Sequence, residues 1–488
     1  MAGHEQALEI LLGPQLEPIV DMVAWTAGPD LYEVASAEGR VRFTRRLGGA
    51  HPAFTVERVE GRDPLADQSR DRFATLDDER AGASPGRRDN AYPLAFEQFA
   101  QLFDHPSAPD LCVIHSAAHN WEDQGGHLGE HGSLGVVQAR APFVAAGAGI
   151  RRLGHCDVAC RLVDVAPTIL ALLGVAPDEP GDAGYRAPDG EPIADILEPG
   201  QQAAHVIGLL FDGTNANVLY DLAARGQAPH VARLIEEGVA ARHGAVASLP
   251  TVTLANHTSI LTGCHPGHHG ILHNAWIDRA TGRQVVTNSP ATWSTAMTWL
   301  WPDVETIHET LARRRPLSRT VSINEPCDRG AGWSTFEQVR RGRPLTRAPG
   351  PDALPDATQR FVRPSKDYRW SSRSDHTAVE QFRQQWPGRP GEPPPAFCWV
   401  NFTLTDAAFH EGGPYSEMAA AAVGDTDARL GRILEVVERS GRWADTAFVL
   451  MADHGMEQTD RAVRGDWDQA LRAAGVEARD EGYGLLYL

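Results

Sequence analysis

Four unbroken apolar runs punctuate the chain: Leu111-Cys112-Val113-Ile114, Val206-Ile207-Gly208-Leu209-Leu210-Phe211, Phe397-Cys398-Trp399-Val400 and Ala447-Phe448-Val449-Leu450-Met451. A half-exposed strand would alternate with polar residues, so each run predicts a strand covered on both faces. Between them, Val231, Leu234, Ile235 and Val239 recur at helical spacing, as do Leu430, Ile433, Leu434 and Val437. Strands alternating with helices predict a largely parallel sheet with helices on both sides. No internal repeat interrupts this order. Residues 175–203, rich in Gly, Pro and acids, read as a linker, and residues 383–396, with Pro390 and Pro393-Pro394-Pro395, read as a loop. Between 275 and 390 the periodicity weakens and seven tryptophans collect (Trp276, Trp293, Trp299, Trp301, Trp333, Trp370, Trp386), which predicts an inserted cap whose rings mainly form its own core.

The length of 488 residues suits two or three domains, or one large α/β domain with a cap. A hydrophobic content of 42% with 22% charged residues is ordinary for a globular chain, and no apolar run reaches the length of a membrane span. The start, Met1-Ala2-Gly3-His4-Glu5-Gln6, carries neither a basic region nor a long apolar one, so the expected compartment is the cytoplasm. Six scattered cysteines read as reduced thiols. A net charge of −19 argues against a nucleic-acid surface and would repel anionic substrates unless cations sit in the site.

Chemistry concentrates in three segments. Asp212-Gly213 ends the 206–211 run, where open α/β sheets place their ligand crevice, although an Asp-Gly alone is usually a turn. Next comes Leu249-Pro250-Thr251-Val252-Thr253-Leu254-Ala255-Asn256-His257-Thr258-Ser259-Ile260-Leu261-Thr262-Gly263, then His265-Pro266-Gly267-His268-His269-Gly270-Ile271. Further on stand Asp406-Ala407-Ala408-Phe409-His410, followed by Glu411-Gly412-Gly413-Pro414, and Asp453-His454-Gly455-Met456. On a helix, residues four apart share a face, so Asp406 and His410 can reach one ion.

These motifs resemble the type I phosphodiesterase and nucleotide pyrophosphatase branch of the alkaline phosphatase superfamily. The resemblance implies Thr253 as nucleophile and Asn256 as phosphate-binding residue, with Asn274 bracing the nucleophile loop. It implies one cation held by Asp212, Thr253, Asp453 and His454 and a second held by Asp406, His410 and a further histidine. The expected cofactors are two divalent cations, Zn2+ first and Mn2+ second. A threonine hydroxyl is a poor nucleophile unless a cation stabilises its alkoxide, which agrees with that ligand set.

The family keeps its last histidine in a Gly-x-His-Gly motif well after Asp-His-Gly, but no histidine follows Met456. Gly129-Glu130-His131-Gly132-Ser133 lies upstream instead, followed by Arg140-Ala141-Pro142-Phe143 and Asp164-Val165-Ala166-Pro167-Thr168-Ile169-Leu170, the order of the family's C-terminal part. The reading is a circular permutation, with His131 as the missing ligand; His127, in Gly125-Gly126-His127, is the alternative. The expected fold is a three-layer α/β sandwich, alkaline-phosphatase-like and permuted. Residues 1–174 correspond to the family's C-terminal part, 175–203 to the linker, 204–274 and 391–488 to the catalytic core and 275–390 to the cap. Permutation also predicts that the two ends of the chain lie close together.

The implied activity is hydrolysis of a small phosphate ester or nucleotide-like substrate through a phosphothreonine. Phosphomonoesterase or phosphonoacetate-hydrolase-like chemistry is the alternative, and a non-catalytic metal-binding scaffold is the alternative from another class. Val252 stands where nucleotide-cleaving relatives keep a lysine, and the loop has no arginine. His265, His268 and His269 read as structural, and His115 and His119 as residues of the pocket rim.

Overall fold

Three of the four apolar runs become neighbours in one eight-stranded sheet. In spatial order its strands are Trp333–Ser334, Thr320–Ile323, Phe397–Phe402, His205–Phe211, Thr446–Met451, Phe143–Gly147, Gly238–Ala241 and Gly154–Cys156. The strands around His205–Phe211 are parallel, and Phe143–Gly147 runs antiparallel to Thr446–Met451. Both faces are covered, as the unbroken apolar runs require. Val206, Leu210, Trp399 and Val449 feed one apolar core, and Ile207, Leu209, Val400 and Leu450 feed the core on the other face. Each such side chain contributes about 1.5–3 kcal/mol on burial. The computed structural model describes residues 2–48, 51–82, 89–121, 126–176, 185–343, 366–387, 392–481 and 484–488. Met1, Gly125, Pro390, residues 177–184 of the expected linker and 344–365 of the expected cap lie outside them.

The fourth run departs from the expectation. Leu111–His115 joins a second, seven-stranded sheet, ordered Arg479–Glu481, Leu485–Tyr487, Leu111–His115, Val20–Gly28, Leu31–Ser36, Gly39–Arg46 and Ala53–Gly61, in which every pairing is antiparallel. Full burial on both faces gives an antiparallel strand the same unbroken signature as a parallel one, which is why pattern alone misassigned it. In this sheet Val20–Gly28 and Leu485–Tyr487 flank the same strand, and Gln6 Nε2 donates to Ala474 O at 3.0 Å, so the two ends of the chain are close.

Two boundaries also differ. Within 275–390, Thr320–Ile323 and Trp333–Ser334 extend the eight-stranded sheet, and the helix Lys366–Gln385 packs Val379, Phe382 and the following Trp386 into its core. That part is built into the sheet layer; its weak periodicity reflects short strands. The described part of 175–203 is a packed strap rather than a free linker. Asp189 N and Gly190 N donate to Gly263 O at 2.8 and 3.0 Å, Ile193 N to Thr168 Oγ1 at 2.9 Å, and Ile196 is fully buried.

Candidate metal centre

The three parallel strands His205–Phe211, Phe397–Phe402 and Thr446–Met451 release their chains at one carboxyl edge, and each release delivers acid groups to the same place. Asp212 follows the first strand, Asp453-His454 the third, and Asp406 and His410 lie on the helix Leu404–Gly412 after the second. Gly213, at φ 61°, turns the chain between them; a side chain there would collide with the Asp406 carboxylate. Gly213 N donates to Asp453 Oδ1 at 3.0 Å, and Thr405 Oγ1 donates to Asp212 O at 2.6 Å, which ties the three loops together.

Two ligand groups result. Asp212, Asp453 and His454 form a fully buried one, with His454 Nε2 3.1 Å from Asp453 Oδ2. Asp406, His410 and His131 form the other, with Asp406 Oδ1 3.4 Å from His410 Nε2 and 3.9 Å from His131 Nε2. The His131 and His454 rings stack with centroids 3.6 Å apart, which links the groups. The Nδ1–H of His131 donates to Thr251 O at 2.8 Å, that of His410 to Gly129 O at 2.7 Å and that of His454 to Gly455 O at 2.9 Å. Each tautomer therefore leaves Nε2 turned inward, the arrangement seen in histidine ligands. His127 stands on the far side of His410, hydrogen-bonded to Glu130 at 3.0 Å with its side chain 40% exposed. It forms a third group with Glu130 and His410, apart from Asp406.

Thr253 opens the helix Thr253–Thr262, which Gly263 ends in the left-handed region. Thr251, two residues earlier, holds Gly132 N through its hydroxyl at 3.0 Å, so the upstream histidine loop and the Thr253 loop are built as one unit. Asn256 is not placed to bind phosphate. It is fully buried, its Nδ2 donates to Ser248, Pro250 and Val252 carbonyls, and its Oδ1 accepts from Ser248 N at 2.8 Å. It braces the loop from within. Asn274 braces it too, as expected, accepting from Leu254 N at 3.1 Å through Oδ1, and it also lines a cavity of about 1020 Å³. Other walls of that cavity come from Gln284, Arg464, Trp467 and Arg472.

None of the seven tryptophans lines this space. Trp276 and Trp386 are buried in the two cores, Trp293 packs on Trp370, and Trp299 and Trp370 are 41% and 48% exposed. His115 and His119 are buried beside Trp121 rather than on a rim. His265 bonds Ser248, His268 bridges Asp104 and Asp189, and His269 bonds Ala255 O, all structural contacts.

The electrostatics fit a cation-binding centre. Asp212 Oδ1, Asp453 Oδ2, Asp406 Oδ1 and His454 Nε2 are all buried without a hydrogen-bond partner. Orphaned acceptors of this kind are costly unless a cation meets them. Burial, reinforced by the Asp453 and Asp406 carboxylates, holds the Asp212 carboxyl well above its usual range. Burial opposes ionisation of Asp406 and His410 too, but their mutual attraction prevails, lowering Asp406 to about 2 and, with Glu130, raising His410 to about 10. Nitrogen and oxygen donors in this mixture suit Zn2+ or a similar divalent ion. Sequence reasoning missed Glu325 altogether, since no motif surrounds it, and gave no role to His257 although it lies inside the best motif.

The family model of type I phosphodiesterase / nucleotide pyrophosphatase matches residues 206–488. An uncharacterized pyrophosphatase/phosphodiesterase of Schizosaccharomyces pombe is 26% identical over 254 residues, covering 52% of this chain and 45% of that protein. Human bis(5'-adenosyl)-triphosphatase ENPP4 is 24% identical over 263 residues, covering 52% and 49%. The chain thus spans about half the length of these curated relatives. Among solved structures, an inactive variant of murine ENPP5 in complex with AMP aligns with a TM-score of 0.38 and 16% identity, covering 53% of this chain and 59% of that one. Because the family model covers more than half of the sequence, this chain belongs to the type I phosphodiesterase / nucleotide pyrophosphatase family.

Proposed function

We propose that the chain is a divalent-cation-dependent phosphoric ester hydrolase that cleaves a phosphodiester or nucleotide pyrophosphate bond through Thr253. The observation that carries this reading is the pair of ligand groups linked by the His131–His454 stack, set against the helix that Thr253 opens. His257 lies one turn after Thr253 on the same helix and reaches within 3.3 Å of Asp453, which supports the reading that Thr253 faces the buried group. Asp212, Asp453 and His454, with the Thr253 hydroxyl, would hold one cation; Asp406, His410 and His131 would hold the other, with Zn2+ favoured over Mn2+. Bound there, the cations would lower the hydroxyl's pKa and offset charge on the phosphoryl oxygens. Thr253 Oγ forms the new bond to phosphorus as the ester oxygen leaves with a proton, and water then cleaves the phosphothreonine. Asn274 Nδ2 donates to an equatorial oxygen, and the cavity beside it takes the leaving group.

Permutation is part of this reading. It is supported by His131 reaching the site from upstream, by Phe143–Gly147 lying beside Thr446–Met451, and by the strap before residue 204. The test is hydrolysis of an aryl phosphodiester, a phosphomonoester, a phosphonoacetate and a dinucleotide by the wild-type chain and Thr253→Ala. The diester or dinucleotide is expected to be preferred, and the variant to lose activity by on the order of 10³ or more. Undiminished hydrolysis by Thr253→Ala would end the proposal.

A further inference from the structure

Behind the buried ligand group lies a chain of polar contacts that reaches across the apolar core. Asn324, at φ 56°, takes the left-handed turn at the end of Thr320–Ile323 and carries Glu325 under the helix Thr253–Thr262. The Glu325 carboxylate is fully buried and doubly held: Cys327 N donates to Oε1 at 2.8 Å and Trp399 Nε1 donates to Oε2 at 3.0 Å. His257 Nδ1 lies 3.0 Å from Oε2. The imidazole, itself buried, then presents Nε2 at 3.3 Å from Asp453 Oδ2 and 3.8 Å from Asp212 Oδ2, an electrostatic approach outside hydrogen-bond geometry. The side chains of this relay come from four segments, those of Glu325, Trp399, His257 and Asp453, and an apolar core would be cheaper to pack there than a carboxylate.

We propose that Glu325 and His257 are positioning residues: the indole of Trp399 and the Cys327 amide fix Glu325, Glu325 fixes the His257 ring, and His257 sets where the Asp453 carboxylate stands. The inference rests on the reading that Asp212, Asp453 and His454 bind a divalent cation. It predicts that the relay governs ion affinity at this group and leaves the Asp406, His410 and His131 group alone, because neither relay residue touches it. The effect of outer partners on a bound ion is commonly about 10–100-fold in affinity.

The experiment is a Zn2+ titration of the apo-protein by competition with a chromophoric chelator, with thermal melts alongside. His257→Phe and Glu325→Gln should raise the Kd of one of two equivalents roughly tenfold or more, the other holding within about twofold. His257→Gln, which keeps a polar group facing Asp453, should recover part of the loss, and kcat should fall more than KM rises. If Glu325→Gln does not fold, Trp399→Phe, which removes the indole donor along with part of a buried ring, should give the same selective change at smaller size. Lower melting temperatures with both Kd values unchanged would overturn the proposal and leave a structural role. A wild-type chain that takes up no ion would instead overturn the reading of the site itself.

Discussion

The two ligand groups lie side by side yet are built differently. Asp212, Asp453 and His454 are fully buried, and all three follow strands of one parallel trio. Asp406, His410 and His131 are partly open, and their third member arrives on a loop from 275 residues before Asp406 in sequence, kept in place by one carbonyl and one hydroxyl of Thr251. Sheet geometry brings the first group to one edge, where short contacts such as Gly213 N to Asp453 hold it, whereas the second depends on how two distant loops are tied. The closed group should therefore hold its ion more tightly, and the open one should be more sensitive to changes in the loops that carry its ligands.

Asp453→Ala should have the largest effect, a loss on the order of 10⁴ in kcat/KM, with bound zinc falling from two equivalents towards one. His131→Ala should cost on the order of 10²–10³ and leave the buried ion in place, measured by elemental analysis after dialysis. Two ions retained by His131→Ala would dissolve the comparison. The two asparagines should then separate cleanly. Asn274→Ala is expected to lower kcat by on the order of 10² with little change in melting, while Asn256→Ala, stripping four backbone partners, should cost roughly 2–3 kcal/mol in denaturant unfolding.

The smallest expected effect lies outside both groups. Burial, with Asp468 nearby, raises the Asp480 carboxyl to about 6 against hydrogen bonds from Gly484 N and Trp467. A folded pKa above the unfolded one gives stability that is complete below about pH 4 and is lost as pH rises through about 6. Asp480→Asn should flatten that decline in melting temperature and leave ion binding at both groups untouched.

How legible this was in sequence follows the same division. Asp212, Asp453 and His454 sit directly after apolar runs, so pattern and motif point to one edge. His131 was reachable only through the missing histidine after Met456 and the Gly-Glu-His-Gly motif upstream. Asn256 proved a brace like Asn274, because one-dimensional spacing does not say which amide faces the loop's own carbonyls. Glu325 had no signature, since its importance comes from a left-handed Asn324 and an indole 74 residues away. The antiparallel sheet of Val20–Gly28 to Ala53–Gly61 carried no chemical motif at all.

The pairing of Phe143–Gly147 with Thr446–Met451 has a consequence for biosynthesis. At a translation rate of about 5–20 residues per second, the earlier strand leaves the ribosome roughly 15–60 s before its neighbour exists. For that interval its apolar edge is open, as is the edge of His205–Phe211 that the same late strand will cover. A nascent chain halted before residue 446 would therefore present two open strand edges at once, each already paired on its other side.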